Sequence, residues 1–470
     1  MKTELIQLSA LELSERFRAL DVTPSEALEA SLARIAASNP LLNAVVTLDT
    51  VGARKAAAAS DARWRAGRPL SALDGVSITI KDNLLAQGLR ATWGSRIYEN
   101  YIPDHDELPV GRLRAAGLVF VGKTNVPEFT LQGYTDNLLF GPTRNPWNPE
   151  LTPGGSSGGA VASVASYMVP IALGTDGGGS IRRPASHVGL VGLKPTTGRV
   201  SRGRGFPVIL HDLEVAGPMA RNVADISAVM EILAGPDPRD RASLAYSSWS
   251  SSGEALRPLR ILYVPRFGDA PVDTEIADNV REAAVALGEL GHEVRESDVP
   301  FDFDAANQAF TTIAGSGLAW LMRDYSDRAS SLTISIQSML ESGQKLSATE
   351  YVETLAAASE LKRTLAETFE HFDVLMTPAA AALPWPADES HPKAIAGQSA
   401  GPRGHAIFTS FANLAGCPGL ALPCSPSRSG LPIGFQLVAA WGSDELLVSL
   451  GHDYEAVRPW QKRRLVLETA

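Results

Sequence analysis

Apolar and polar residues follow two different periods along the chain, and these periods predict strands and helices in turn. Residues 75–81 alternate with a period of two, which predicts a strand ending at Lys81. Residues 117–122 are a continuous apolar run, typical of a buried parallel strand. Residues 9–12 and 23–26 are capping boxes followed by apolar residues at helical spacing. The chain therefore opens with helices and continues as an α/β fold.

The alternation of strand and helix returns in the second half of the chain. Residues 259–264 predict a strand, 274–290 a helix and 292–294 a second strand. A further apolar strand is predicted at 373–376. Residues 235–258 are rich in proline, serine and charge, which indicates a boundary or a surface excursion.

Composition narrows the class of protein. The 470 residues are 44% hydrophobic and 20% charged, as in a globular enzyme, and the net charge of −10 argues against nucleic acid or an anionic membrane as partner. Cys417 and Cys424 are too few for a disulfide framework and have no histidines at zinc spacing. With no apolar run of about 18 residues, we expect neither export nor a membrane span, and a cytoplasmic location.

Two serine-glycine clusters, residues 154–159 and 177–180, are the most informative feature. Residues 158–168 between them are small and mostly apolar, which predicts a buried helix. Glycine is costly in backbone entropy, so such clusters usually let backbone N–H groups approach a ligand or a developing negative charge. The clusters therefore indicate a chemical site.

Two other segments match known motifs in their residue letters but not in the secondary structure that those motifs require. Residues 117–124 satisfy the phosphate-binding loop pattern, but the residues between its glycines are bulky and strand-forming, so nucleotide binding is disfavoured. Residues 154–158 match the nucleophile elbow of α/β-hydrolases, yet the proline-rich stretch before them is not a strand. That interpretation would need His405 or His452 as base, and both are interpreted as ordinary core or surface histidines.

Lys81 is the alternative base, because burial lowers the pKa of a lysine and leaves it able to accept a proton. From the spacing alone, an ordinary lysine at a strand end is the favoured interpretation.

Taken together, these pieces resemble the amidase signature family of serine hydrolases. The matching segments span nearly the whole chain: residues 75–82, 122–129, 141–147, 153–159, 174–182, 192–199, 217–221, 377–378, 413–416 and 430–436. The resemblance implies that Ser180 is the nucleophile, that Ser156 follows a cis peptide bond and relays its proton, and that Lys81 is the general base.

The same resemblance implies further site residues. The backbone N–H groups of Gly177, Gly178, Gly179 and Ser180 would form the oxyanion hole. Ser157 and Asp176 would support it, although helix capping and loop closure explain these two equally well. The candidate substrate-binding residues are Tyr134, Thr135, Gly155 and Arg183; Tyr134 departs from the small residue common in the family at this position and could form a wall of the acyl site. For Arg183 we favour a structural salt bridge.

The expected fold is one large domain, a twisted mixed β-sheet covered by helices on both faces. Its expected parts are N-terminal helices (1–70), a catalytic core (71–235), a flanking α/β region with pocket helices (236–375) and a C-terminal return (376–470). Residues 301–339 are apolar and either line a hydrophobic pocket or pack in the core.

The expected activity is hydrolysis of small, hydrophobic amides, with esters, carbamates and urethanes as further candidates. No metal or cofactor is expected, and water and a small-molecule amide are the partners of a monomer or homodimer. The alternatives are a non-catalytic scaffold and an amidotransferase-type subunit. Transfer-RNA amidotransferase subunits carry a tyrosine-rich Ala-Arg-Tyr-Asp-Gly segment that this chain lacks.

Overall fold

The computed structural model describes residues 2–250 and 256–460, where helices and strands alternate along most of the chain. The α-helices are α1 (Lys2–Leu5), α2 (Ala10–Arg18), α3 (Pro24–Leu42), α4 (Thr50–Arg65), α5 (Leu108–Ala115), α6 (Gly158–Ala165), α7 (Arg182–Val188), α8 (Val223–Leu233), α9 (Thr274–Glu289), α10 (Phe303–Leu321), α11 (Ile334–Gly343), α12 (Ala348–His371), α13 (Ser410–Leu414) and α14 (Asp444–Val457). The strands are β1 (Val45–Leu48), β2 (Ser77–Lys81), β3 (Val119–Thr124), β4 (Ile171–Asp176), β5 (Val191–Lys194), β6 (Val215–Ala220), β7 (Arg260–Tyr263), β8 (Glu293–Glu296), β9 (Val374–Pro378), β10 (Ala394–Ile395), β11 (Gln398–Ser399), β12 (Gly419–Pro423) and β13 (Gly434–Ala439).

Eleven strands of the described residues form one mixed sheet, in the order β1-β3-β2-β4-β6-β5-β12-β13-β9-β7-β8. The strands are parallel in the runs β3-β2-β4 and β9-β7-β8, and antiparallel elsewhere. Strands β10 and β11 pair separately. The parallel run β3-β2-β4 brings the carboxyl ends of β2 and β4 to one edge of the sheet, where both serine-glycine clusters lie.

Helices cover both faces of this sheet. In β3, Phe120 packs into a hydrophobic cluster with α2, α8, α9 and α14, while Val119 and Val121 pack into another with α3, α4, α6 and α7. Because alternate residues of a strand point to opposite faces, the two clusters lie on opposite sides of the sheet. The predicted fold class is confirmed.

Local predictions agree with the structure at most elements. Ser9 and Thr23 both form the predicted capping boxes, and α6, α9, β2, β7, β8 and β9 occupy the predicted segments within a few residues. Strand β3 begins two residues later than predicted, because Gly117 has a φ of +88° and belongs to the preceding turn. Of the predicted excursion at 235–258, residues 251–255 lie outside the described residues, and Arg241–Ala245 form a short 3₁₀-helix.

The phosphate-loop pattern lies on β3, as its bulky residues predict. Lys123 is fully buried, and its Nζ donates to the Leu84 carbonyl at 2.7 Å and lies 3.6 Å from Asp82 Oδ1. The backbone N–H groups of a strand are engaged in sheet pairing, so this segment does not form a phosphate cradle.

The apolar segment 301–339 divides between core and pocket. Leu318 and Leu321 of α10 are buried in a third hydrophobic cluster, and Trp320 is 47% exposed. Phe310 and Met339 line a cavity beside Ser180.

Candidate active site

Lys81 is the last residue of β2 and is completely buried. Its Nζ donates to Ser156 Oγ at 2.8 Å, to Thr175 Oγ1 at 2.9 Å and to the Thr175 carbonyl at 3.1 Å. Burial lowers the pKa of Lys81 from 10.5 to about 7, against the opposing charges of Glu214 and Asp176. The amine is therefore partly neutral near pH 7 and able to accept a proton.

Ser156 lies on the loop before α6, directly after the cis peptide bond between Gly155 and Ser156. The neighbouring segment fixes this loop: Thr135 Oγ1 donates to the Gly154 carbonyl at 2.9 Å and accepts from the Gly158 N–H at 3.2 Å. A side chain at Gly155 would lie 2.2 Å from the Tyr134 carbonyl oxygen. Only glycine fits this close approach of two backbones.

Ser180 lies on the loop between β4 and α7, and it is 7% exposed. The Ser157 N–H donates to the Ser180 carbonyl at 3.2 Å, which joins the two serine-glycine clusters directly. Ser157 Oγ also donates to the carbonyl of Thr175, a hydrogen-bond partner of Lys81, at 3.2 Å. The structure thus brings both predicted serines and the predicted lysine into one connected site.

Asp176 organises the loop that carries Ser180. Its carboxylate accepts from the Gly179 N–H at 2.6 Å, the Ile181 N–H at 3.1 Å and Arg182 Nε at 3.0 Å. Burial would raise the pKa of Asp176, but the charge and hydrogen bonds of Arg182 hold it far below its usual value. Asn413 Nδ2 donates to the Asp176 carbonyl at 2.8 Å. This buried ionic network fixes the backbone on both sides of the glycines.

A cavity of about 450 Å³ opens beside Ser180. Gly177 and Gly178 line it from the loop, and Phe310 and Met339 line it from helices α10 and α11. A side chain at Gly178 would lie 2.5 Å from Phe310 Cε2, so the aromatic ring packs directly on the loop. A cavity of this size beside a serine matches the volume of small-molecule sites.

Comparison with known proteins identifies the family. The family model described as Amidase matches residues 26–448. The chain belongs to the amidase signature family. Membership places it among enzymes that act on amide C–N bonds, as hydrolases or as amidotransferase-type subunits.

Relatives of both kinds are similar to this amidase signature protein over nearly its whole length. A glutamyl-tRNA(Gln) amidotransferase subunit from Roseiflexus sp. (strain RS-1) is 36% identical over 490 residues, covering 98% of each chain. The crystal structure of a bacterial aryl acylamidase aligns with a TM-score of 0.90 at 28% identity, over 97% of each chain. The structure of a 6-aminohexanoate cyclic dimer hydrolase complexed with substrate aligns with a TM-score of 0.87 at 29% identity, covering 98% of this chain and 99% of that one.

Most of the predicted substrate-binding residues of this amidase signature protein are not among the residues that line the cavity. Tyr134 and Thr135 contact the first serine-glycine cluster, to which Gly155 belongs. The Tyr134 hydroxyl lies 3.2 Å from the Oγ of Ser335, which lines the cavity. Arg183 does line the cavity.

Arg183 does not form the expected salt bridge. Its Nη1 donates to the Gly178 carbonyl at 2.5 Å and to Thr409 Oγ1 at 3.0 Å, and it has no ion pair with any residue that the structure describes. Burial and the nearby charge of Arg403 lower the pKa of Arg183 to about 9. Its side chain thus holds the Gly178 carbonyl of the glycine loop in place by a hydrogen bond.

Three residues of the site were missed by sequence reasoning. Thr175 holds Lys81, Glu214 lines the cavity, and Arg403 enters the cavity from a distant loop. Glu214 is paired with Arg202 at 2.8 Å, and this charge lowers the pKa of the carboxyl although burial would raise it. Thr175 alone had a sequence signal, since it is next to Asp176 at the end of a predicted motif.

The two histidines considered as possible bases lie in different environments. His405 is buried against Trp385 and lines the cavity beside Ser180, and burial lowers its pKa well below 6.5. His452 is exposed on α14. In the described structure neither ring hydrogen-bonds to a serine of the two clusters, which removes the support for a histidine base.

Membrane spans and metal sites are both absent from residues 2–250 and 256–460. No helix there is long and apolar enough to cross a membrane. No group of three or more histidine, cysteine or acidic side chains in the described chain has the arrangement of a metal site.

Proposed function

We propose that this protein is an amidohydrolase that cleaves small amides through an acyl-enzyme on Ser180. The observation that carries the proposal is the buried 2.8 Å hydrogen bond between Lys81 Nζ and Ser156 Oγ, together with a lysine pKa of about 7. A lysine in this state suits the role of general base, since its pKa matches the working pH.

The proposed reaction needs only these three side chains and water. Ser180 Oγ attacks the amide carbonyl carbon and gives its proton to Ser156 Oγ, which passes its own proton to neutral Lys81. The relay then returns a proton to the amide nitrogen, the C–N bond breaks and the amine leaves. Water attacks the acyl-enzyme by the same route, releasing a carboxylic acid and restoring Ser180.

The oxyanion of each tetrahedral intermediate would be stabilised by backbone N–H groups. The Gly179 N–H already donates to Asp176 at 2.6 Å, so we narrow the proposed donors to Gly177, Gly178 and Ser180, all of which line the cavity. Each aligned donor lowers the barrier by roughly 2.7–4 kcal/mol. We propose Ser157 and Asp176 as supports that hold the two loops in place.

A fluorophosphonate probe tests this assignment without knowledge of the substrate, since it labels activated serines. We expect labelling of the native chain, loss of labelling in Ser180→Ala, and native labelling in the matched control Ser359→Ala on the exposed face of α12. Absence of labelling in the native chain would favour the non-catalytic scaffold. Labelling that persists in Ser180→Ala would show that another serine is the nucleophile.

The substrate class follows from a panel of anilides, esters and carbamates assayed with purified protein. Small aryl or alkyl amides are the proposed substrates, and the same serine would also attack ester, carbamate and urethane carbonyls. Turnover of the panel by the isolated chain supports a stand-alone hydrolase.

A second candidate is an amidotransferase-type subunit, favoured by the 36% identity to the Roseiflexus relative. The chain lacks the tyrosine-rich segment of such subunits, which favours the stand-alone enzyme. Release of ammonia from glutamine, with no turnover of anilides despite labelling of Ser180, would support the second candidate.

A further inference from the structure

Arg403 brings an unpaired positive charge into the cavity beside Ser180. It lines the cavity, and its Nε and Nη2 are buried without a hydrogen-bond partner. No ion pair or hydrogen bond joins its guanidinium to any residue in the described part of the chain. The ring of Phe310 supports it, with its centroid 4.3 Å from the guanidinium carbon.

Arg403 is partly exposed as a residue, but two of its three guanidinium nitrogens are shielded from water without a counter-charge. This is unfavourable, because the lost hydration is not repaid by pairing. The same partial desolvation lowers the pKa of Arg403 to about 10. Natural proteins usually pair buried guanidinium groups with carboxylates or phosphates, which fit the planar fork of donors. The structure therefore shows a guanidinium group placed to bind a carboxylate or phosphate that the described residues do not supply.

The other charged groups of the cavity do not supply the missing half. The Glu214 carboxylate is engaged by Arg202 at 2.8 Å and by Asn83 at 3.0 Å. Arg183 adds a second positive charge, although its Nη1 is used to hold the Gly178 carbonyl. The cavity thus has a net excess of positive charge on the side of Arg403.

Phe310 links this charge to the reaction centre. One side of its ring supports the Arg403 guanidinium, and its edge packs on Gly178, next to the oxyanion loop. A substrate whose carbonyl lies at Ser180 would extend along this ring towards Arg403 through a short chain.

We propose that Arg403 binds a carboxylate of the substrate, so that the preferred substrates are short amides carrying a carboxylate on the acyl side. This inference rests on the proposed function. It changes the expected substrate from a purely hydrophobic amide to an anionic one.

The test compares substrates that differ in one charge. The pair is glutaryl 4-nitroanilide, with a terminal carboxylate, and pentanoyl 4-nitroanilide, without it. We expect the native enzyme to have the higher kcat/KM for the glutaryl compound. Arg403→Met should lower the ratio of the two values by roughly 10- to 100-fold, as expected for loss of a charged hydrogen bond, and Arg403→Lys should restore part of it. The matched control Arg323→Met, at an exposed position two residues after the end of α10, should keep the native ratio.

A measurement on the unmodified enzyme guards against a variant that fails to fold. Glutarate should inhibit hydrolysis of the neutral anilide more strongly than glutaramide does. N-pentanoyl-4-aminobenzoate, which carries its carboxylate on the amine side, should gain nothing over pentanoyl anilide.

Three results would overturn the inference: equal kcat/KM for the two nitroanilides, a ratio unchanged in Arg403→Met, or a preference for the amine-side carboxylate. Fluorophosphonate labelling in parallel separates the two proposals. If Ser180 is labelled and the neutral anilide is cleaved, any of the three results contradicts only the carboxylate site. If the native chain is not labelled, both the proposed function and this inference are contradicted.

Discussion

Replacing Lys81 by methionine should abolish acylation and change how stability depends on pH. The side chains are similar in length, so the substitution removes the amine without opening a large cavity. It also removes the hydrogen bonds to Ser156 and Thr175, at a cost of about 1 kcal/mol each that does not vary with pH. The part that varies with pH therefore reports the ionisation of Lys81 alone.

The magnitude follows from the pKa of Lys81, which falls from 10.5 in water to about 7 in the fold. At about pH 6 the lysine is charged in both the folded and the unfolded protein. Burying that charge lowers the free energy of unfolding by roughly 5 kcal/mol, at about 1.4 kcal/mol for each pH unit between the two pKa values. At about pH 9 the folded lysine is neutral and the unfolded one still charged, and the cost is roughly 2 kcal/mol. The native enzyme should gain stability as pH rises between these values, since the unfolded state binds more protons.

The stability advantage of Lys81→Met over the native enzyme should therefore shrink by about 3 kcal/mol between about pH 6 and pH 9. Urea-induced unfolding, followed by tryptophan fluorescence at both pH values, gives this difference. Lys194→Met is a matched control, because Lys194 is equally buried and burial lowers its pKa to about 8. Its pH-dependent change should be about half as large, and its rate of acylation should stay close to that of the native enzyme.

A stability difference that is the same at both pH values would refute the reasoning, because it would show that burial does not deprotonate Lys81. The rate of acylation supplies an independent check. In the native enzyme it should rise about tenfold per pH unit below a midpoint near 7 and level off above it, as for a base that must be neutral. A rate that is flat from pH 5 to 9 would exclude Lys81 as the base.

Three further substitutions test the rest of the site. Ser156→Ala should slow fluorophosphonate labelling by about 10²–10⁴-fold with unchanged circular dichroism, since the proton relay is lost; a native labelling rate would contradict the relay. Asp176→Asn should lower the free energy of unfolding by about 3–5 kcal/mol, measured in urea, because it leaves Arg182 buried and unpaired; native stability would show that the pair is not essential. Gly178→Ala should reduce kcat and destabilise by about 1–3 kcal/mol, because the new methyl group meets Phe310 at 2.5 Å, and Phe310→Leu in the same chain should relieve part of the loss; no effect of Gly178→Ala would show that the loop yields.

The parts of the fold that could be predicted are those fixed by local sequence. Capping boxes, the period of β2 and the apolar run of β3 all depend on residues within one element. The order of the eleven strands depends on contacts between distant segments, such as the antiparallel pairing of β6 with both β4 and β5. No periodicity within a strand specifies its neighbours, and the sheet order was beyond prediction.

The site divides in the same way. The two glycine clusters can be recognised from the local sequence, whereas the roles proposed for Lys81, Ser156 and Ser180 rest on the family resemblance. Arg403 lies in a loop with no motif of its own, and the role proposed for it depends on the fold, which places it over Phe310. The engagement of the Gly179 N–H by Asp176 likewise depends on the exact turn of the loop, which the glycine run leaves open.

The proposal that Lys81 is the base gives its complete burial a chemical reason. Histidine has a pKa near 6.5 without any perturbation, whereas a lysine must lose most of its hydration to become neutral near pH 7. Lys81 meets that condition on a fully buried strand, and the neighbouring Glu214 would reverse it by attracting the proton. Arg202 pairs with Glu214 at 2.8 Å and counteracts this attraction, so the pKa of Lys81 stays near 7. In the proposed reaction, the burial that destabilises the fold is thus the same burial that leaves Lys81 able to accept a proton.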